Sequence, residues 1–449
     1  MGKHRWQVAL NLFDKIFLGS LILVFFGVFL HAPITVFVGS RWPEAALYIK
    51  AWKEIVMLVA LVSAIFILWR QNKWQILNNW LIWSILAYSA LGILMSAILF
   101  KGTDATIAGL MIDYRYILAF GLFYIAGKLY PQFRQTLLKA GLAGLLIVVI
   151  FGVLQVFVLP HDILKHIGYD KNTSIAPYLT VDQNYDFIRI NSTLRGPNVL
   201  GALMVIGSTA IICYILAFRK KLLKNKKEIG LALLFLLGTF ICLWASYSRS
   251  ALGGAVAAII LAITLFMGKN IKTKHIVGFL AVLLIFAAGL FAVKDTSFVS
   301  NVLLHEDPNE AGLVNSNDGH IESLIDGTDL MLKQPIGAGV GSTGSASLIT
   351  DRPLIIENQY LFISHELGWL GMALFLTIFG AILYYLWKIW QEKRDWLTLA
   401  ILCSGIGLAL VGFLLPVWVD DTVSIIWWGL AGFLLGEYKI IKNIGGRKA

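Results

Sequence analysis

Charge is scarce in this 449-residue sequence: Asp, Glu, Lys and Arg together make up 14 % of it, against about 25 % in a soluble chain of similar length. With 58 % hydrophobic residues and a mean hydropathy of +0.77, that scarcity excludes an ordinary soluble protein. Cysteine is scarce as well. Cys213, Cys242 and Cys403 all fall inside apolar runs and read as packing residues, so neither a disulfide framework nor a metal framework is implied. A convincing small-residue cleavage site is missing after the first apolar run. That run, about 8–30, is also too long for a signal core, so no cleavable signal peptide is expected. A close Asp-x-Asp pair is missing too: Asp420 and Asp421 are adjacent and Asp326 and Asp329 are three apart, which argues against a metal-dependent site.

What is present is a series of apolar runs of roughly 20 residues, the length of a bilayer-spanning helix. They do not alternate every second residue, as barrel strands do. The expected fold is therefore all-α and integral to a membrane, a single polytopic domain over 1–449. About twelve spans are expected, near 8–30, 51–69, 79–99, 108–127, 138–158, 198–217, 229–247, 251–267, 275–293, 358–387, 397–416 and 421–437. With this count the Lys/Arg-rich connections all fall on one side, which then holds 24 of the 37 basic but only 5 of the 26 acidic residues. By the positive-inside rule that side, with both termini, is cytoplasmic. The same distribution accounts for the net charge of +11. The basic residues sit where anionic lipid headgroups lie, so membrane lipids are the partner and no nucleic acid is required.

Two segments on the opposite, outer side are long. The first covers 159–197; the second, 294–354 between the ninth and tenth spans, is expected to hold short helices, one of them Gly319–Lys333. Loops of this length are usually functional. Ionisable residues are few near the middles of the spans, whereas a transporter usually carries them deep in the bilayer. The candidates gather at outer helix ends instead.

Four constellations stand out there. Arg189 and Arg195 flank the turn Arg195-Gly196-Pro197-Asn198, which opens the sixth span. Arginine forks suit phosphate, and a helix N-terminus adds free N–H groups; headgroup snorkelling would explain one arginine more readily than two. Ser246-Tyr247-Ser248-Arg249-Ser250 is a very short outer turn that contributes a third arginine. Asp318-Gly319-His320-Ile321-Glu322-Ser323 precedes the run Gln334-Pro335-Ile336-Gly337-Ala338-Gly339-Val340-Gly341. That glycine run is either a linker or a backbone anion cradle, and His320 either a solvated histidine or a site residue. Finally, Glu357-Asn358 opens the tenth span, followed by His365. Glu357 reads either as a simple N-terminal charge or as a base facing a substrate held by the arginines.

In this order, these constellations resemble the O-antigen ligase and polymerase superfamily of bacterial membrane glycosyltransferases, through motifs lying within 189–371 and through the twelve-span topology. The resemblance implies transfer of a glycan from an undecaprenyl-pyrophosphate carrier to an acceptor hydroxyl on the outer face of the cytoplasmic (inner) membrane, with inversion and without a metal or other cofactor. It implies that Arg195 and Arg249, with Arg189 as neighbour, hold the pyrophosphate. Asn198, Ser248, Asn358 and His365 support them. One departure matters: family ligases open the helix after the large loop with His-Asn, and here the pair is Glu357-Asn358. Either Glu357 is the base, or His320 or His365 supplies it. Catalysis is thus assigned to Glu357 and His320. The acceptor is a hydroxyl-bearing glycan or lipid for a ligase and a growing chain for a repeat-unit polymerase, with protein O-glycosylation a third member of the class. From another class, a lipid-linked glycan flippase would also present outward arginines.

Overall fold

The computed structural model describes residues 10–170, 175–181, 184–268 and 316–438. The first span is two helices, α1 (Leu12–Gly27) and α2 (His31–Arg41), joined by a 3-10 turn at Val28–Leu30. A short α3 (Ala46–Lys50) leads to α4 (Trp52–Gln71), α5 (Trp80–Ile98), α6 (Thr103–Leu129) and α7 (Arg134–Phe157). A two-stranded antiparallel ribbon follows, β1 (Leu179–Val181) with β2 (Asn184–Arg189), pairing Leu179 with Arg189. Then come α8 (Pro197–Leu222), α9 (Lys226–Ala245), α10 (Arg249–Met267), α11 (Ser316–Lys333), the one-turn α12 (Gly344–Ser347), α13 (Gln359–Lys393), α14 (Trp396–Val411) and α15 (Asp421–Glu437).

Among the described residues nine helices are long and apolar enough to cross a membrane. Two shorter apolar helices, α14 and α15, occupy the last two expected positions. The described residues thus hold helices at eleven of the twelve expected positions; the span expected at 275–293 lies outside the described residues, as does the first part of the 294–354 loop. One boundary is corrected: the first span continues to Arg41 through its 3-10 turn. The loop at 159–197 carries a 3-10 turn at Ile163–Ile167 and the ribbon. The helix expected at Gly319–Lys333 is present as α11, starting three residues earlier.

Helix starts are set by local chemistry. Side chains of Asn11, Asn79, Asn225, Asn358, Asp395 and Asp420 accept N–H groups of the first turns of α1, α5, α9, α13, α14 and α15, satisfying donors that helix geometry leaves free. The helices run alternately up and down. One end of the bundle carries the basic connections, clamped where Arg134 bridges Asp395 (2.6 Å) and Glu437 (3.2 Å). The other, the loop end, carries the starts of α4, α6, α8, α10, α13 and α15.

The tightest pairing is α6 against α15. An added Cβ at Gly432 would collide with the carbonyl of Phe120, and one at Gly436 with that of Tyr124. Small residues let two apolar helices approach backbone to backbone, where dispersion and close packing replace a hydrophobic drive. Beside this seam lies an aromatic core of Trp418, Trp427, Trp428, Phe375 and Phe379, all buried. Gly432→Val is expected to cost about 1–3 kcal/mol through overpacking, read as a lower melting temperature in detergent. Gly121→Val, on the same seam's outward side with nothing within 4 Å, should leave it nearly unchanged.

Candidate active site at the loop end

The segment 189–197 is fixed before it reaches α8. Arg189 donates from Nε to the Ser246 carbonyl (2.9 Å) and from Nη2 to Asn198 Oδ1 (2.6 Å), and the Ile190 N–H donates to the Ala245 carbonyl (3.1 Å). Arg189 therefore ties β2, the α9–α10 turn and the start of α8 together. Ser192, left-handed at φ 51°, receives Gln155 Oε1 on its N–H (2.8 Å) and donates its hydroxyl to the Val148 carbonyl (2.6 Å). Thr193 donates to the Phe29 carbonyl (2.7 Å), freed where the first span breaks; Thr422 of α15 donates to the neighbouring Val28 carbonyl (3.0 Å). After these buried anchors the chain surfaces at Arg195, which is exposed, directly before Pro197 opens α8 without a side-chain cap.

The Ser246–Ser250 turn sits against this helix start. An added Cβ on Gly201 would stand 2.8 Å from Ala251 Cβ and 2.9 Å from Ser248 Cβ, so the first turns of α8 and α10 pack in direct contact. Ser248 is buried at the N-cap of α10, with its Oγ 3.4 Å from that of Ser250. Half-buried Arg249 is the first residue of that helix. The structure thus brings Arg189, Asn198, Ser248 and the backbone bearing Arg195 and Arg249 to one patch. Burial pushes the pKa of the Tyr247 hydroxyl up, consistent with a turn packed into its surroundings.

Glu357 and Asn358 stand across the end of α14. Asn358 accepts the N–H groups of Tyr360 (2.9 Å) and Leu361 (3.0 Å) and donates to the Phe413 carbonyl (2.9 Å), so it caps α13 and ties it to α14. Half-buried Glu357 donates its N–H to Ser323 Oγ on α11 (3.0 Å). His320 lies one helical turn before Ser323 on α11. The end of α14 that receives Asn358 also packs on α10: Gly407 lies against Gly254, just beyond the first turn that holds Arg249. His365 is buried inside α13, with Nδ1 lacking a partner among the described residues.

The glycine run is neither a linker nor an open cradle. Its N–H groups are turned inward: Ala338 donates to the His365 carbonyl (2.6 Å), Gly339 to the Glu366 carbonyl (3.0 Å) and Gly341 to Glu366 Oε1 (2.8 Å).

A second correction concerns interior charge. Asp421, the first residue of α15, is 3.1 Å from His31 Nε2, 3.1 Å from Lys53 Nζ and 3.5 Å from Arg115 Nη1. Glu54 lies 3.3 Å from Lys53 and 3.6 Å from Arg115. Trp52 Nε1–H donates to His31 Nδ1 (3.0 Å), which leaves the proton of neutral His31 on Nε2, facing Asp421. Asp420 is held above the usual carboxylate range by burial and by the adjoining Asp421 carboxylate; Arg195 and Arg115 act on it in the opposite sense. Arg195 therefore lies within electrostatic reach of this cluster. Sequence reading missed the cluster because its members lie on four elements far apart in the chain: His31 on α2, Lys53 and Glu54 on α4, Arg115 midway along α6 and Asp421 on α15. Ionisable residues within or at the ends of these apolar segments were the available signal.

Residues 231–376 match the family model described as O-antigen ligase. The match covers about a third of the chain, and over that segment the chain is similar to the O-antigen ligase family. The matched segment of this O-antigen ligase-like chain contains Arg249, His320, Glu357, Asn358 and His365, whereas Arg189, Arg195 and Asn198 precede it. No curated protein matches the chain.

Replacing Asp421 by Asn is expected to destabilise the protein by about 3–5 kcal/mol, because three cationic or polar partners lose a buried counter-charge. Thermal unfolding in detergent measures it. Lys53→Met placed on the Asp421→Asn background should recover part of the loss, the non-additivity expected of contacting charges.

Proposed function

We propose that this chain transfers a glycan from a polyprenyl-pyrophosphate carrier to an acceptor hydroxyl, with inversion and without a metal, on the outer face of a bacterial cytoplasmic membrane. The observation that supports this reading most is the gathering of Arg189, Arg195 and Arg249 around the packed starts of α8 and α10, beside the ligase-family segment. In this reading the loop end is the outer end and both termini are cytoplasmic.

The roles divide by accessibility. Arg195 is the exposed arginine at an uncapped helix start, suited to a phosphoryl oxygen. Arg249 offers a second fork from the neighbouring helix start. Arg189 spends two donors on Ser246 and Asn198, so it orders the patch and assists rather than leads. Negative charge develops on the departing pyrophosphate, and fixed guanidinium groups stabilise it without reorganising. Glu357 removes the proton of the attacking hydroxyl, and His320 contacts the acceptor or the phosphate. Asn358 fixes the backbone beside Glu357. A ligase and a repeat-unit polymerase share this chemistry and differ in the acceptor.

The flippase reading draws support from the buried charges of His31, Lys53, Glu54, Arg115 and Asp421. These charges are paired with one another, which suits a fixed electrostatic floor better than a passage. A transfer assay separates the readings, using purified protein, a polyprenyl-pyrophosphate oligosaccharide and candidate acceptors. Arg249→Ala and Glu357→Gln are each expected to lower turnover by about 100-fold or more, and chelator to leave it unchanged. Movement of the lipid-linked glycan across vesicles without any product would replace the transferase by the transporter.

A further inference from the structure

We propose that Glu366 is a positioning residue for the transfer reaction: it latches the segment bearing His320 and Glu357 onto the membrane bundle through the Pro335–Gly341 loop. The inference rests on the proposed function for its catalytic consequence, while the latch itself is geometric.

The latch sits at a break in a span. At Gly368 (φ 69°, ψ −171°) α13 ceases to be helical, and the loop enters the gap. Above the break the His365 and Glu366 carbonyls accept from Ala338 and Gly339; below it the Trp369 N–H donates to the Pro335 carbonyl (2.9 Å). Gly337, Gly339 and Gly341 all have φ between 84° and 98°, a region that side chains disfavour. An added Cβ on Gly337 would be 2.5 Å from the Gly368 nitrogen, and one on Gly109 of α6 would be 2.6 Å from the Gly341 nitrogen. The loop is thus wedged between α6 and α13 with no room to slide.

Within this wedge Glu366 supplies the side-chain contact. It is 2 % exposed, its Oε1 accepts the Gly341 N–H (2.8 Å), and its carboxyl lies beside that of Asp113 on α6. Two carboxyl groups so placed bond to each other when one of them carries a proton. The residue therefore joins three pieces: α13, α6 and the loop.

The loop in turn governs the catalytic candidates. On its N-terminal side it continues α11, docked on α13 by Trp369 Nε1, which donates to the Met331 carbonyl (2.8 Å). On its C-terminal side Gly344 donates to the Leu354 carbonyl (2.9 Å), and the chain runs on to Glu357, which returns to α11 through Ser323. This closed circuit carries both His320 and Glu357. The arginines are anchored independently, through Ser246 and Asn198. Loosening the latch should therefore displace the base from the donor and leave donor binding intact.

Spin labels on Asp326→Cys in α11 and Tyr185→Cys in β2, both exposed, read the circuit against the arginine patch; the native cysteines are buried. The wild type and Glu366→Gln, which keeps an acceptor for Gly341 and gains a donor for Asp113, should give one narrow distance. Glu366→Met, of similar length but without an acceptor, should broaden it. In the transfer assay the methionine variant should lose roughly tenfold or more in kcat with an unchanged donor KM, and glutamine should restore kcat. A narrow distance in the methionine variant, or a glutamine variant as broad as the methionine one, overturns the latch. Absence of transfer by the wild type would defeat the functional reading alone, since the distances are measured without turnover. Should the methionine variant not fold, amide exchange in the wild type decides: Gly341 must exchange slowly, and fast exchange there overturns the proposal.

Discussion

A lipid bilayer offers no water to a backbone, so any interruption of a spanning helix must be satisfied from within the protein. Among the described residues two spans are interrupted, and the repairs shape the loop end. Where the first span breaks at Val28–Leu30, the exposed carbonyls take hydroxyls from Thr193 and Thr422. Where α13 breaks at Gly368, its carbonyls and the Trp369 N–H take the Pro335–Gly341 loop. The first repair delivers Arg195 to the start of α8. The second fixes the circuit that bears Glu357. Two requirements for backbone satisfaction thereby fix the two groups of residues on which the proposed function rests.

The helical scaffold was legible in the sequence because bilayer thickness imposes a length that apolar runs display directly. The starts of α4, α5, α8, α10, α13 and α15 fall within two residues of the expected spans, helped by local signals such as Asn79, Asn358 and Asp420. The breaks were not read from the sequence. Val28–Leu30 lies between Gly27 and Pro33, and Pro33 has no N–H for the Phe29 carbonyl, a local signal whose meaning shows once Thr193 and Thr422, some 160 and 390 positions away, are seen on the freed carbonyls. Gly368 looks like any small residue in an apolar run until the loop that fills the gap is seen. The β-ribbon escaped notice for a related reason: its strands of three and six residues are too short to show a period.

The arginine patch was legible as a grouping but less so in its division of labour. The resemblance set Arg195 ahead of Arg189, but spacing alone gave no physical reason for that order. The contacts separate them: one guanidinium is committed to Ser246 and Asn198, while the other surfaces at the helix start. The same holds for the acids. Asp420 and Asp421 are unpromising as metal ligands by spacing, yet Asp421 organises His31, Lys53 and Arg115. A charge at the end of an apolar helix looks like a cap in one dimension, and only packing shows which charges converge.

Chain order gives the Asp421 contacts a consequence for biogenesis. His31, Lys53 and Arg115 belong to α2, α4 and α6, all synthesised before α15 brings their common counter-charge. Glu54 is the acid available to Lys53 and Arg115 in the meantime. The earlier spans therefore enter the membrane with excess positive charge at the loop end, and the last helix neutralises it as it inserts against α6. Arrival of α15 is then both the closing of the glycine seam and the completion of an electrical balance, so the bundle reaches its final charge state only when its last span is in place.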